Sequence, residues 1–358
     1  MICFFNTTKA WGGGEKWHFD VATRLITDEI PVIVVTHPDS ALRQKFHAAG
    51  VKAHTVRTNN RSFLNVLKLF RLYLFFKQHQ VDILVMNLPA DLKLAGIAAR
   101  LAGVRKIIYR RGSAIPIRNT WLNRFLFKKV ITGVLANSFE TKRTILSANK
   151  NLISPEKIRV IYNGLNLKNF PAKEKSFVKV HGQPIIIGNL GRLEKQKAQH
   201  LLISLGEKLV KAGINFKILI GGDGSLKEDL QTQIQNARLP EKISLLGYVD
   251  DVHAFMKEID IFVLTSHWEG FGYVLAEAMA CLNPVVAFGH SSNPELIADK
   301  ITGFLVVPGD LDDLFNKVLL LIRNPELRKK MGVAGREKVE KEFDFEKNFQ
   351  QLKEFLFD

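Results

Sequence analysis

The sequence predicts an α/β protein built from two doubly wound, Rossmann-like domains, and three observations lead there. A chain of 358 residues with 46% hydrophobic residues is longer than one ordinary core encloses. Both halves alternate short apolar runs with helical periods, the layout of mostly parallel sheets covered on both faces. The alternation breaks between Asn163 and Gln183 into Asn, Gly, Pro and Lys without a period, as at a junction between domains. The expected division is an N-terminal domain over residues 1–164, a C-terminal domain over 165–335, and a closing segment over 336–358 that returns to the first domain.

In the first half the strands are expected at 2–6, 32–36, 52–55, 83–87, 106–109, 133–136 and 158–161. Helical patterns fill the gaps, notably at 16–25, 63–78, 92–102 and 139–146. The second half restarts at 184–188 and alternates through 216–220, 243–246, 261–264, 284–288 and 304–306, before a charged stretch of helical period over 325–357. In open sheets of this kind ligands bind beyond the carboxyl ends of the strands, so two such domains facing each other would enclose a cleft.

Composition excludes several classes. The two cysteines, Cys3 and Cys281, have no thiol or histidine partner at metal spacing, which fits a reducing compartment and argues against a disulfide scaffold. The first residues carry no basic leader or small-residue cleavage site, so a cytoplasmic protein is expected. The most apolar stretch, 63–76, is interrupted by Lys68 and Arg71 and falls short of the ~20 residues a spanning helix needs. Charge is lopsided. Residues 1–170 hold 27 Lys and Arg against 9 Asp and Glu, a net of +18, whereas residues 171–358 hold 24 against 26, a net of −2. That asymmetry suggests an anionic partner for the first half: lipid headgroups, a phosphorylated glycan or a nucleic acid.

The sharpest motif is Glu269-Gly270-Phe271-Gly272-Tyr273-Val274-Leu275-Ala276-Glu277, which follows the 261–264 strand and opens a helix. Amides around Gly272 to Val274, at the positive end of the helix dipole, suit a diphosphate. Glu277 lies about one turn further on, at ~1.5 Å per residue, so the two carboxylates can reach hydroxyls on opposite sides of that diphosphate. A second motif, Gly191-Arg192-Leu193-Glu194-Lys195-Gln196-Lys197, follows the 184–188 strand and supplies fixed cations, which stabilise a departing diphosphate without a metal.

These segments resemble the E-x7-E text and its companions in the retaining glycosyltransferases of family 4, which have the GT-B fold. The resemblance extends through Gly221-Gly222-Asp223-Gly224, Gly247-Tyr248-Val249-Asp250-Asp251, Pro294-Glu295-Leu296-Ile297 and the junction text Val160 to Gly164, and so covers essentially the whole chain. It implies that Glu269 contacts hydroxyls of the transferred sugar, that Glu277 bonds the ribose, and that Arg192 and Lys197 hold the diphosphate. Gly222, Tyr248, Val249, Gly270, Phe271, Gly272, Tyr273 and Val274 would complete the donor pocket. Gly13 and Gly14, after the first strand, would lie near the donor phosphate, with Lys16 toward the acceptor. Many family members carry a histidine after the fifth strand, where this chain reads Arg110-Arg111. The pair is assigned to the acceptor or sugar side, with binding of nearby carboxylates as the alternative. Leu282 stands where glycine is usual, and only a local packing effect is expected.

No histidine pairs with acids at ligand spacing and there is no Asp-x-Asp pattern of the kind that holds a divalent ion beneath a diphosphate, so no metal site and no cofactor are expected, with a UDP-sugar as the commonest donor in the family. The resemblance further implies that the acceptor hydroxyl attacks the face the diphosphate leaves, and that a diphosphate oxygen takes its proton. The expected acceptor is an anionic glycan or lipid-linked sugar in cell-envelope polysaccharide or lipopolysaccharide synthesis. Two segments that mix apolar and basic residues, 63–78 and 118–129, either cover the sheet or lie on an anionic membrane, the inner face of the plasma membrane being the candidate. A nucleotide-sugar epimerase of the same architecture is the enzymatic alternative. A silent glycan-binding relative and a nucleic-acid module are the others, the last disfavoured by the lack of a base-stacking or groove-reading motif.

Overall fold

The computed structural model describes residues 1–171, 176–180 and 182–358. Part of the expected junction, 172–175 and 181, therefore lies outside the described residues. The chain forms two compact units, one of residues 1–163 and 349–358, the other of 164–348.

Unit 1 runs β1 (Ile2–Asn6), α1 (Gly13–Thr27), β2 (Val32–Thr36), α2 (Ala41–Ala48), β3 (Ala53–Thr55), α3 (Val66–Gln78), β4 (Ile83–Met86), α4 (Pro89–Asp91), α5 (Ile97–Leu101), β5 (Lys106–Arg111), α6 (Trp121–Phe125), β6 (Gly133–Ala136), α7 (Phe139–Ser147) and β7 (Ile158–Val160). Its seven strands pair in parallel in the order β3-β2-β1-β4-β5-β6-β7. Strands β1, β4 and β6 are buried along their whole length, which is why they read as continuous apolar runs rather than alternating ones. Side-chain oxygens of Ser40, Asn65, Thr120 and Ser138 accept the free amides at the starts of α2, α3, α6 and α7.

Unit 2 runs β8 (Ile185–Leu190), α8 (His200–Lys211), β9 (Phe216–Gly221), α9 (Lys227–Asn236), β10 (Ile243–Gly247), α10 (Val252–Glu258), β11 (Ile261–Leu264), α11 (Tyr273–Ala280), β12 (Val285–Phe288), α12 (Asn293–Leu296), β13 (Gly303–Val306), α13 (Leu311–Arg323) and α14 (Pro325–Glu342). Its six parallel strands take the order β10-β9-β8-β11-β12-β13. Arg328, fully buried, donates to the carbonyls of Leu321 and Ile322 at the end of α13 and to that of Phe177.

The closing stretch is two helices, α14 and then α15 (Phe345–Phe357), and residues from Phe349 onward belong to unit 1. There Arg24 lies 5.2 Å over the Phe349 ring, Lys353 reaches Asp28 at 3.3 Å, and Lys106 donates to the Phe355 carbonyl. Among the described residues no helix is long and apolar enough to cross a membrane.

Leu282 has a left-handed backbone, φ +61°, and ends α11. Its N–H bonds the Met279 carbonyl while that of Asn283 bonds Ala278, the paired closure in which glycine is favoured. The departure from the family text therefore strains the backbone, and is more than the packing effect expected from sequence. Leu282→Gly is expected to raise stability by about 1 kcal/mol, read from the midpoint of urea unfolding.

Candidate active site

In unit 2 the chain leaves β8 toward β9 on one side and leaves β11 toward β12 on the other, so the loops after these adjacent strands bound a crevice at their carboxyl ends. The two lips are tied together. His267 N–H donates to the Gln196 carbonyl at 2.7 Å, Gln196 Nε2 to the Trp268 carbonyl at 2.7 Å, and Thr265 Oγ1 to the Lys197 carbonyl at 2.9 Å. Across that seam Lys197 Nζ meets Glu269 Oε1 at 2.5 Å, both side chains largely shielded from solvent. A paired charge this shielded needs its partner, because removing either leaves the other desolvated and uncompensated.

The backbone of Glu269 is held as well. Ser291 Oγ accepts its N–H at 3.1 Å and donates to its carbonyl at 2.6 Å, while Ser292 Oγ lies within reach of the carbonyls of Glu269 and Phe271. Gly272, at φ +89°, turns the chain into α11, and Glu277 is buried on that helix. After β11 and β12, Ser266 Oγ, His290 Nδ1 and Asn293 Oδ1 are buried with no hydrogen-bond partner among the described residues, polar atoms that water or a ligand would satisfy.

Arg192 is exposed on the first lip, its carbonyl accepting from Gln199 Nε2 at 3.0 Å. Gly222 has φ +136°, and a Cβ there would stand 1.9 Å from the Gly191 carbonyl oxygen. Its lack of a side chain thus serves the close approach of two loops, and through them the seat of Arg192. Tyr248 is exposed after β10, with Val249 half-buried beside it. Phe271, assigned to the donor pocket, is buried edge-on to Tyr273 and Phe343, so its ring belongs to the core and only its backbone is placed to meet a ligand. Among the described residues no group of three or more His, Cys, Asp or Glu is placed to hold a metal ion.

Unit 1 carries a polar network at the matching end of its own sheet. Gly13 and Gly14 are already the first turn of α1 rather than a loop before it, and Lys16 bonds Asp20 at 3.1 Å. A Cβ on Gly14 would come within 2.7 Å of the Asn87 amide. Glu15 accepts from Asn6 at 3.1 Å and Asn87 at 3.3 Å, and Asn87 in turn accepts from Arg110 at 2.9 Å. Arg110 is 1% exposed; it also donates to Asn163 Oδ1 at 3.0 Å and lies 4.7 Å over the Trp17 ring. Assigned in sequence to the acceptor or sugar side, it is closed off from solvent, and two of its bonds go to amide oxygens. Arg111, half-buried, donates to the Tyr109 hydroxyl and the Ile115 carbonyl. Asn6, Asn87, Asn163, Gln196, Ser291 and Ser292 were not singled out in sequence as site residues, since amides and hydroxyls at strand ends look like ordinary turn formers.

Asp91, fully buried beyond β4, accepts the N–H of Thr7 at 3.2 Å and its hydroxyl, and Thr7 also contacts Thr58. Burial outweighs these bonds and raises the carboxyl to about 7. A carboxyl raised on folding contributes stability that is complete below its unfolded value near 4 and is lost as pH rises through 7. His18, buried near Arg110 and shifted well below its ordinary range, works in the opposite sense as pH falls. The stability of Asp91→Asn relative to the parent chain, which cancels the His18 contribution, is expected to grow between pH 4 and 7 and level off above; a flat difference would contradict this. Thermal melts across that range measure it.

Two family models match the chain: glycosyltransferase family 4 over residues 11–169 and glycosyl transferases group 1 over residues 171–338. The chain belongs to glycosyltransferase family 4. It is 30% identical over 225 residues to the Campylobacter jejuni N-acetylgalactosamine-N,N'-diacetylbacillosaminyl-diphospho-undecaprenol 4-alpha-N-acetylgalactosaminyltransferase, covering 62% of this chain and 59% of that one. The chain thus spans about three fifths of that relative. It is 27% identical over 330 residues to the Escherichia coli UDP-Gal:alpha-D-GlcNAc-diphosphoundecaprenol alpha-1,3-galactosyltransferase, covering 86% and 84%. Among solved structures the Anabaena protein HepE in complex with UDP and glucose superposes with a TM-score of 0.85 at 24% identity, over 99% of this chain and 98% of that one. The two parallel sheets with their helices are those of the GT-B glycosyltransferases.

Proposed function

We propose that this family 4 glycosyltransferase moves a hexosyl group from a UDP-sugar to a lipid-linked or polysaccharide acceptor at the cytoplasmic face of the cell envelope, with retained anomeric configuration and no bound metal or cofactor. The observation that carries the reading is the Lys197–Glu269 pair, fixed across the crevice between β8 and β11 with Arg192 on the same lip. In this reading Arg192 and Lys197 meet the diphosphate as its bond to the anomeric carbon breaks, Glu269 holds hydroxyls of the sugar, and Glu277 holds the ribose. The acceptor oxygen bonds the anomeric carbon on the face the diphosphate leaves, and its proton passes to a diphosphate oxygen. Unit 2 then serves the donor and unit 1 the acceptor, with Arg110 ordering the unit 1 network rather than touching substrate. The donor and the polyprenyl-diphosphate type of acceptor are taken from the Escherichia coli relative's name.

The test incubates the chain with UDP-hexoses, polyprenyl-diphosphate sugars and a chelator, and follows the new anomeric signal by NMR. An axial linkage from an axial donor, formed with chelator present, is the expected result. An inverted linkage, or epimerised donor with no transfer, would overturn the reading.

A further inference from the structure

Helix α3 has two apolar faces, and one helix covering a sheet needs only one. Leu72 and Phe76 are buried, with Leu69 and Tyr73 packed beside them, and these fill the core of unit 1. On the opposite face Leu67, Phe70 and Leu74 are 70%, 55% and 47% exposed, in the i, i+3, i+7 spacing of one stripe. The turn leading into the helix extends it with Leu64 and Val66, 67% and 74% exposed. The sheet-covering role therefore accounts for only half of the apolar residues here.

The surrounding charge is of one sign. Between Asp39 and Asp82 the chain holds no acid and eight basic residues: Arg43, Lys45, Lys52, Arg57, Arg61, Lys68, Arg71 and Lys77. At ~100° per residue Arg71 and Lys77 fall on opposite flanks of the stripe, and Arg61 precedes it; all three are exposed. Asn65 caps the helix start at the edge of the patch by accepting the Lys68 N–H at 3.0 Å, so the stripe is presented on an ordered helix.

We infer that the outer face of α3, with Leu64 and Val66 before it, is a docking surface for an anionic lipid bilayer, seating its apolar stripe at the level of the acyl-chain boundary between flanking Arg and Lys that meet the headgroups. The combination is what such a surface requires: apolar area for insertion, and cations that each strengthen attachment to anionic lipid about fivefold. A second copy of the chain fits less well, because a symmetric contact through this face would bring Arg61, Arg71 and Lys77 against their own copies. The inference goes beyond the transfer reaction and is tested without any sugar donor, so either can fail alone.

The experiment is co-sedimentation of the full chain with vesicles of phosphatidylcholine alone or with 30 mol% phosphatidylglycerol, at about 0.1 and 0.5 M salt. Binding to the anionic vesicles at low salt, weak binding to the neutral ones, and at least a tenfold loss in a Leu67→Ser, Phe70→Ser, Leu74→Ser variant of unchanged melting temperature are expected. An Arg71→Gln, Lys77→Gln variant should lose about 25-fold at low salt. No binding by the parent chain, or full binding by the triple serine variant, would overturn the inference. So would a parent dimer that the serine variant dissolves while vesicles leave both unbound.

Discussion

Lys197→Ala is expected to lower transfer at saturating donor by about 10³-fold and to destabilise unit 2 by about 3 kcal/mol. Both effects come from one atom. Nζ is the cation set on the crevice seam, and among the described residues it is also the counter-charge on Glu269 Oε1, at 2.5 Å in a largely shielded position. Lys197→Met, which fills the same space without charge, removes the packing loss and leaves the electrostatic one, so its kcat should stay as low as that of the alanine variant. A methionine variant with more than a tenth of the parent rate would mean that the cation is not needed where the diphosphate departs.

The second large effect is steric. In Gly222→Ala the new Cβ would meet the Gly191 carbonyl oxygen at 1.9 Å, in a backbone conformation that side chains rarely adopt. Neither loop can absorb this cheaply, because Gly191 N–H is bonded to the Gly221 carbonyl at 3.0 Å and Gly222 N–H to that of Gly247 at 2.7 Å. A loss of roughly 3 kcal/mol or more in urea unfolding is expected, with nucleotide affinity falling as Arg192 moves with its loop. A variant that melts with the parent chain would show that the two loops are free to part.

Much of the fold was legible because buried parallel strands announce themselves. The fully buried β1, β4, β6, β11 and β12 fall on apolar runs bounded by turn residues, and the expected strand ends differ from the observed ones by a residue or two. The closing segment reads in sequence as one helical stretch because charge and period continue through Phe343 and Asp344. The break comes from pairing: the Leu165 N–H donates to the Phe343 carbonyl, and the Phe345 N–H to that of Leu165. Such long-range bonds leave no local mark.

At the candidate site, the residues of unit 2 stand out in sequence through charge and glycine spacing, two acids eight positions apart around a helix start. Sequence could not pair Lys197 with Glu269, 72 residues away, nor find Ser291 and Ser292 behind them. In unit 1 the reading was coarser. The two arginines drew attention by their charge, yet burial of Arg110 among Asn87, Asn163 and Trp17 depends on side-chain packing, which neighbouring letters do not encode. Asp91 was overlooked for the same reason, because an acid after a strand reads as a turn residue until its burial is known.

If the crevice between β8 and β11 is a nucleoside-diphosphate seat, titrating the metal-free chain with UDP raises its melting temperature. At about 100 times its dissociation constant UDP should stabilise unit 2 by ~2.7 kcal/mol, a rise of roughly 5–10 °C for a unit of this size, and Arg192→Ala should need at least tenfold more nucleotide for the same rise. If UDP, GDP and ADP all leave the melt unmoved, or if the shift survives intact when Arg192 and Lys197 are both replaced by alanine, the seat is elsewhere and the account is wrong.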